Sequence, residues 1–215
     1  MNRIDYITSL ATGYKSLADV GCDHAFISIK ALKNYGVKKA YALDINDGPL
    51  ENARMNVKSN GLEDNIEIIK SDGLTNLNDA VECIIIAGMG GVLISKIIND
   101  SLEKVNHSKK LILSPNNEEA ILREYLSNNG FKISDEHIIQ DAGHYYEIIE
   151  AIPLENEKIS NIDILFGPIL RKKKDDLFIK KYSKKLDVLE SSLAKCNESS
   201  KKEIEDNIKL LKEIL

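Results

Sequence analysis

Short apolar runs alternate with helix-patterned segments along the first two-thirds of the chain, and that alternation leaves few folds open. Leu17–Gly21 (LADVG), Lys39–Ile45 (KAYALDI), Asn65–Lys70 (NIEIIK), Glu82–Ala87 (ECIIIA) and Lys110–Ser114 (KLILS) read as strands. The run CIIIA is apolar at successive positions, as in a strand buried on both faces. Between the strands, His24–Tyr35 carries Phe26, Ile29 and Leu32 at helical spacing. Pro49–Asn60, Gly91–Asn99 and Glu118–Asn129 also read as helices, two of them closed by the stop signals Asn60-Gly61 and Gly130. Strands separated by helices run parallel, through right-handed crossovers, in an open sheet flanked by helices. Phe131–Glu136 and Tyr145–Ala151 follow as two strands with no helix between them. They predict a final hairpin that places one antiparallel strand in the sheet. The fold class is therefore α/β, with a mostly parallel sheet.

After Pro153 the pattern changes. Residues 154–164 are largely polar and read as a linker, and Leu165–Leu170 (LFGPIL) introduces a helix with Pro168 near its first turn. Phe178, Tyr182, Leu186, Leu189 and Leu193 lie on one helical stripe, and Ile204, Ile208, Leu211 and Leu215 make another. With Lys195–Ser200 as a turn between them, they predict an antiparallel helical hairpin or short coiled coil. The expected organisation is a first domain over 1–153, a linker over 154–164 and a helical hairpin over 165–215.

Charge follows the same division. The net charge of −5 splits into −9 over residues 1–169 and +4 over residues 170–215. An acidic body with a basic tail suits chemistry in one part and contact with a polyanion in the other. A solvated, lysine-rich helix surface gives the same count, so charge alone leaves both readings open. No apolar run reaches the roughly 18 residues of a membrane span, and the start of the chain lacks the apolar core of a secretory signal. Cys22, Cys83 and Cys196 are widely spaced, and with His107 and His137 they show no metal-ligand spacing. The expectation is a cytoplasmic protein with no metal and no membrane partner.

In an open α/β sheet, ligands bind outside the carboxyl ends of the strands. The chemistry-bearing residues fall at those ends: Asp19, Gly21, Asp23 and His24 after the first strand, Asp44 after the second, Asp72-Gly73 after the third, Gly88-Met89-Gly90-Gly91 after the fourth, and Asn116-Asn117 after the fifth. Gly21 permits a tight turn and close approach of a ligand to the backbone. Asp44, with Ile45 beside it, is placed to accept hydrogen bonds from ribose hydroxyls. The glycine series GxGxxG is absent, as is GxxxxGKS/T, so neither a pyrophosphate cradle nor a P-loop is present. What remains is a nucleoside cofactor without phosphates, for which S-adenosylmethionine is the candidate. The terminal hairpin points the same way, by analogy with methyltransferase sheets.

The segments ADVGCDHAFIS (18–28), DINDGPL (44–50), SDGL (71–74), IAGMGG (86–91), LILSPNN (111–117), GHYYEI (143–148) and FGPIL (166–170) together resemble the TrmK family, bacterial tRNA (adenine-N1) methyltransferases acting on nucleotide 22. The resemblance implies a Rossmann-like class I methyltransferase domain that uses S-adenosyl-L-methionine and releases S-adenosyl-L-homocysteine, followed by a helical domain. It places Asp19, Gly21, Asp23 and His24 around the methionine part of the cofactor, Asp44 on the ribose, and Asp72 with Gly73 at the adenine. Ala87, Gly88 and Met89 then fall on the cofactor side of the next turn, and Gly90 and Gly91 on its substrate side. The Asn/Asp-Pro-Pro-Tyr/Phe motif that many adenine methyltransferases carry there is missing. The chain also has Asp23 and Ala25 where the DxGxGxG form of the first motif has glycines.

For such a reaction the adenine N1 lone pair is already a nucleophile, so alignment and electrostatics matter more than a strong base. Asp23 is the expected electrostatic residue, Asn116 a partner of the base edge and His24 a positioning or proton-shuttling group. Tyr145 is placed to stack on an unpaired base, although strand tyrosines often serve the core. Lys172, Lys173, Lys180 and Lys184 suit tRNA phosphates. Two other readings stand beside this one: a methyltransferase acting on a small molecule or protein, with the helical tail used for dimerisation, and a binding protein that keeps the cofactor without catalysis. The expected state is a monomer or weak homodimer.

Overall fold

The five expected parallel strands form within one residue of their predicted bounds: β1 (Ser16–Val20), β2 (Lys39–Asp44), β3 (Ile66–Lys70), β4 (Cys83–Ala87) and β5 (Lys110–Ser114). The structure, a computed structural model, describes residues 1–153, 157–193 and 198–215. It divides into two compact units, Met1–Gly167 and Pro168–Leu215. In the first unit the helices are α1 (Arg3–Ser9), α2 (Phe26–Asn34), α3 (Asp47–Ser59), α4 (Gly91–Asp100), the short α5 (Leu102–Asn106), α6 (Glu119–Asn128) and α7 (Asn161–Phe166). β6 (Phe131–Asp141) and β7 (His144–Pro153) complete one seven-stranded sheet, ordered β3-β2-β1-β4-β5-β7-β6.

β1 pairs in parallel with both β2 and β4, so the strand order reverses there and leaves a crevice above their carboxyl ends. β7 runs antiparallel between β5 and β6, the expected hairpin. Its turn is Ala142-Gly143, both at positive φ, as a two-residue turn between twisted strands requires. Both strands outrun their predicted lengths. A bulge between Ile133 and Asp135 breaks the alternation on which a sequence reading depends.

On one face of the sheet Leu17, Ala42, Ile85, Ile112 and Ile148 pack in a single buried cluster with α1, α2 and α3. The helix α1 had no counterpart in the sequence reading. It is seven residues long, capped by the Asn2 side chain accepting from the Asp5 N–H at 2.9 Å, and held by fully buried Ile7. Near the hairpin, fully buried Arg123 of α6 donates from Nε to Glu136 Oε1 at 2.7 Å and from Nη2 to Glu147. One buried cation thus fastens α6 to both hairpin strands.

Of the segment expected as a linker, 154–156 lie outside the described residues, and 161–166 form α7, capped by Ser160. The helix expected from Leu165 is interrupted at Gly167 and restarts after Pro168. The second unit holds α8 (Leu170–Lys173), α9 (Asp176–Leu193) and α10 (Glu198–Ile214). α9 buries Phe178 and Tyr182 with ring centroids 4.7 Å apart, and α10 buries Ile208, Leu211 and Ile214. Lys212 pairs with Glu190 at 2.7 Å. The predicted turn at 195–200 and Cys196 fall on or beside 194–197, which lie outside the described residues. Among the described residues, no helix is long and apolar enough to cross a membrane.

Candidate active site

The turn after β1 is hooked onto the neighbouring strand: the Gly21 and Cys22 N–H groups both donate to the Leu43 carbonyl, at 2.8 and 3.0 Å. Gly21 has φ +74°, and a Cβ there would lie 2.3 Å from Met89 Cε. Asp23 and Ala25 also adopt positive φ, 47° and 58°. These are the two positions where the common motif carries glycine, so the backbone shape is kept although the residues differ. L-residues held in this region store strain that the surrounding structure must sustain.

Asp19 lies beneath the turn, buried, its Oδ2 accepting from the Ser28 N–H at 3.2 Å and the Ser28 hydroxyl at 2.9 Å. Burial raises its carboxyl to about 6 in spite of those bonds. It joins β1 to α2 as well as lining the pocket. Burial likewise pushes the Cys22 thiol up, so it is no thiolate nucleophile. The pocket has a volume of about 280 Å³ and is lined by Arg3, Asp19, Gly21, Asp23, Phe26 and Gly88 among others. The Asp23 side chain is 70% exposed, with its Oδ2 3.7 Å from His24 Nε2. The His24 ring stacks on Phe26 at 5.2 Å, and Phe26 is half exposed.

On the β2 side, Asp44 Oδ1 accepts from the Asn46 N–H at 2.9 Å, which leaves Oδ2 for a ligand. Ile45 beside it is exposed. The Ser71 N–H donates to the Asp44 carbonyl at 2.9 Å, bringing exposed Asp72 and half-buried Gly73 next to the β2 tip. On the other side, the turns after β4 and β5 are laced together. Gly88 N–H donates to the Ser114 carbonyl at 3.1 Å, Asn116 N–H to the Met89 carbonyl at 2.8 Å, and Asn116 Nδ2 to the Gly88 carbonyl at 2.6 Å. A Cβ on Gly91 would sit 2.2 Å from the Glu118 carbonyl oxygen, and one on Gly90 2.8 Å from a Glu118 carboxylate oxygen. Close packing of the two turns therefore accounts for the missing side chains at both glycines.

The sequence reading missed Arg3. Its Nε donates to Ser114 Oγ at 3.0 Å, Nη2 to the Ser114 carbonyl and Oγ at 2.6 and 2.9 Å, and Nη1 to Asn116 Oδ1 at 2.7 Å. Its guanidinium carbon lies 4.0 Å from the centroid of the Tyr146 ring. Tyr146 packs toward α1 and the core cluster. Tyr145, the predicted stacking residue, points from the opposite face of β7, since successive strand side chains alternate. Ile4, Ile7 and Ala11 at helical spacing are the signal that could have revealed α1 and the arginine it carries.

Pairing of β6 with β7 also brings Glu150 to Asp135 and His137, with ligand atoms within 4.8 Å. His137 Nε2 lies 2.6 Å from Glu150 Oε1, its Nδ1 3.0 Å from the Tyr6 hydroxyl, and Lys110 Nζ 2.7 Å from Glu150 Oε2. Burial alone would raise the Glu150 carboxyl, but hydrogen bonds from His137 and Lys110 hold it below its ordinary value. Lys172, Lys173, Lys180 and Lys184 are exposed on the second unit, the last two one turn apart on α9.

S-adenosylmethionine matches this donor set. A backbone turn without a side chain at Gly21, acids at Asp19 and Asp23, an open carboxylate oxygen at Asp44 and no phosphate cradle suit a nucleoside joined to an amino acid. The family model described as tRNA (adenine(22)-N(1))-methyltransferase matches residues 17–213. A curated Bacillus subtilis tRNA (adenine(22)-N(1))-methyltransferase is 33% identical over 93% of this chain and 90% of its own. The crystal structure of Sp1610 from Streptococcus pneumoniae, in complex with S-adenosyl-L-methionine, superimposes with a TM-score of 0.92 at 35% identity, covering 100% of both chains. TrmK of M. capricolum, in complex with S-adenosyl-homocysteine, gives 0.88 at 27% identity, over 98% of this chain and 95% of that one. From strand tips to tail, the chain belongs to the TrmK family of tRNA (adenine(22)-N(1))-methyltransferases.

Proposed function

We propose that the crevice between β1 and β4 binds S-adenosylmethionine and that the chain methylates N1 of adenine 22 in tRNA. One observation carries the reading: five adjacent parallel strands present Gly21, Asp44, Asp72, Gly88 and Asn116 along one edge of the sheet, in a chain of this family.

The Gly21 turn admits the cofactor to the backbone, Asp44 Oδ2 accepts from the ribose hydroxyls, and Asp72 with Gly73 borders the adenine. Ile45, Ala87 and Met89 supply apolar walls. The bound cofactor supplies an electrophilic methyl group on a sulfonium. N1 needs no deprotonation before attack, so the protein's work is to hold it in line. Positive charge passes to the base during transfer, and the exposed Asp23 carboxylate stands at the rim to stabilise it. Asn116 is held rigidly between Gly88 and Arg3, which leaves one Oδ1 lone pair and one Nδ2 proton for the base edge. His24 on Phe26 offers an aromatic border for a base that must leave its stack before N1 is reachable. Gly90 and Gly91 keep the substrate side of the mouth open. Lys172, Lys173, Lys180 and Lys184 neutralise tRNA phosphates without reading sequence.

The test is mass-spectrometric mapping of methylated nucleosides in tRNA incubated with the protein and labelled S-adenosylmethionine. The expected product is 1-methyladenosine at position 22. Methylation elsewhere, or on small molecules or protein alone, overturns the reading.

A further inference from the structure

We infer that Asn116 reads the Hoogsteen edge of the target adenine, its 6-amino group and N7, and that Arg3 is the positioning residue that fixes the amide for this. The inference rests on the proposed function and deepens it, by naming the edge of the base that the site holds. Arg3 lies outside the residues 17–213 that the family model matches.

An asparagine amide has two ends of opposite hydrogen-bonding character, and its partners decide which way it points. Arg3 Nη1, which can only donate, meets Oδ1 at 2.7 Å, while the Gly88 carbonyl, which can only accept, takes a proton from Nδ2 at 2.6 Å. Turning the amide over would set donor against donor and acceptor against acceptor, so one orientation is held. Arg3 is itself fixed. Ser114 accepts three times from its guanidinium, whose carbon lies 4.0 Å from the Tyr146 ring centroid, and the Arg3 backbone N–H donates to Asp141 Oδ2 at 3.0 Å. Burial works against its charge, and the neighbouring Tyr146 and Asp141 work in favour of it. Asn116 is exposed, and its two partners Arg3 and Gly88 both line the pocket. The free Oδ1 lone pair and Nδ2 proton are therefore available to a base at the mouth. On adenine that pair fits two places. Against N6–H and N1 it would engage the lone pair that must attack the methyl group. Against N6–H and N7, the usual bidentate match of asparagine to adenine, it leaves N1 free. Methylation at N1 selects the second. Guanine presents O6 and N7 there, two acceptors with no donor for Oδ1.

The test compares tRNAs that carry adenosine or 7-deazaadenosine at position 22 as substrates of the full chain. The 7-deaza base keeps the 6-amino group and N1 and loses the N7 acceptor. Any change this makes in N1 reactivity is shared by all variants and cancels between them. kcat/KM for methylation from labelled S-adenosylmethionine is measured for the wild type, Asn116→Ala, Arg3→Met and Arg3→Lys. The wild-type preference for adenosine should exceed that of Asn116→Ala by roughly 3- to 10-fold, the range for one hydrogen bond. Arg3→Met should fall close to Asn116→Ala. Arg3→Lys, which keeps a donor for Oδ1, should lie between them and serves if Arg3→Met fails to fold. Equal preferences in the wild type and Asn116→Ala overturn the inference and leave the proposed function standing. A preference kept in full by the Arg3 variants, with both substrates slowed in proportion, makes the arginine a brace for the turn after β5 and overturns its positioning role. A wild-type chain that methylates neither tRNA at position 22 overturns the proposed function and the inference with it.

Discussion

Gly21 and Met89 face each other across the switch point so closely that a methyl group on residue 21 would lie 2.3 Å from the Met89 Cε. The turns after β1 and β4 are therefore matched in shape. Gly21→Ala must both relocate the methionine and hold alanine at φ +74°, a region L-residues disfavour by about 1 kcal/mol or more. We expect S-adenosylhomocysteine affinity to fall at least roughly tenfold by calorimetry. Adding Met89→Ala should restore only the part due to the clash. Full restoration would mean that backbone conformation contributes nothing.

Asp23 combines an exposed carboxylate with a left-handed backbone, so its variant must separate the two. Asn tolerates positive φ better than Ala and removes the charge. Asp23→Asn should lower kcat for tRNA methylation by roughly tenfold or more, with an unchanged melting temperature. Activity near that of the wild type would take Asp23 out of the mechanism.

The buried Asp19 carboxyl makes stability depend on pH in an unusual direction. Its pKa rises from 3.8 unfolded to about 6 folded. Between those values the native state holds the proton more tightly, so stability falls as pH rises from about 4 to about 6 and levels off above. That difference corresponds to about 3 kcal/mol. In urea titrations without ligand, the wild type should lose ground against Asp19→Asn across that window. A pH-independent difference between the two would refute the shift.

Arg123 faces two buried carboxylates, Glu136 and Glu147. Arg123→Ala takes this cation from both, and we expect a loss of about 3–5 kcal/mol in denaturant unfolding, the range for breaking a buried pair. Replacing all three residues by apolar ones of similar volume should cost far less.

Lys180 and Lys184 test the tail. The double change to alanine should weaken tRNA binding and make the slope of log K against log salt shallower by roughly 1 to 2. Affinity for S-adenosylhomocysteine should not move. An unchanged salt slope would remove both lysines from the phosphate contact.

The sheet could be read from the sequence because buried parallel strands announce themselves as short apolar runs bounded by turn residues, and five of them sit within one residue of expectation. Of the pocket lining, Asp19, Gly21, Asp23, Ala87 and Gly88 sit at strand tips and could be named from the strand ends alone. What escaped was short or non-local. The two turns of α1 are too few for periodicity to register, so Arg3 went unnoticed although it reaches the pocket. Tyr145 and Tyr146 are neighbours in sequence but lie on opposite faces, and only the register of β7 decides which one meets α1. His137 and Glu150 come together through antiparallel pairing that spacing cannot reveal. Asp23 and Ala25, departures from the glycine pattern, keep the dihedral angles that the pattern encodes.

The antiparallel insertion has a consequence for biogenesis. β5 gains its second neighbour from β7, which ends at Pro153, so a nascent chain that has emerged only as far as Ser114 offers an uncovered apolar ribbon to the solvent. Until the hairpin arrives, Arg123 also waits without its counter-ions. Premature termination between these points should yield sticky, self-associating fragments rather than a smaller working enzyme.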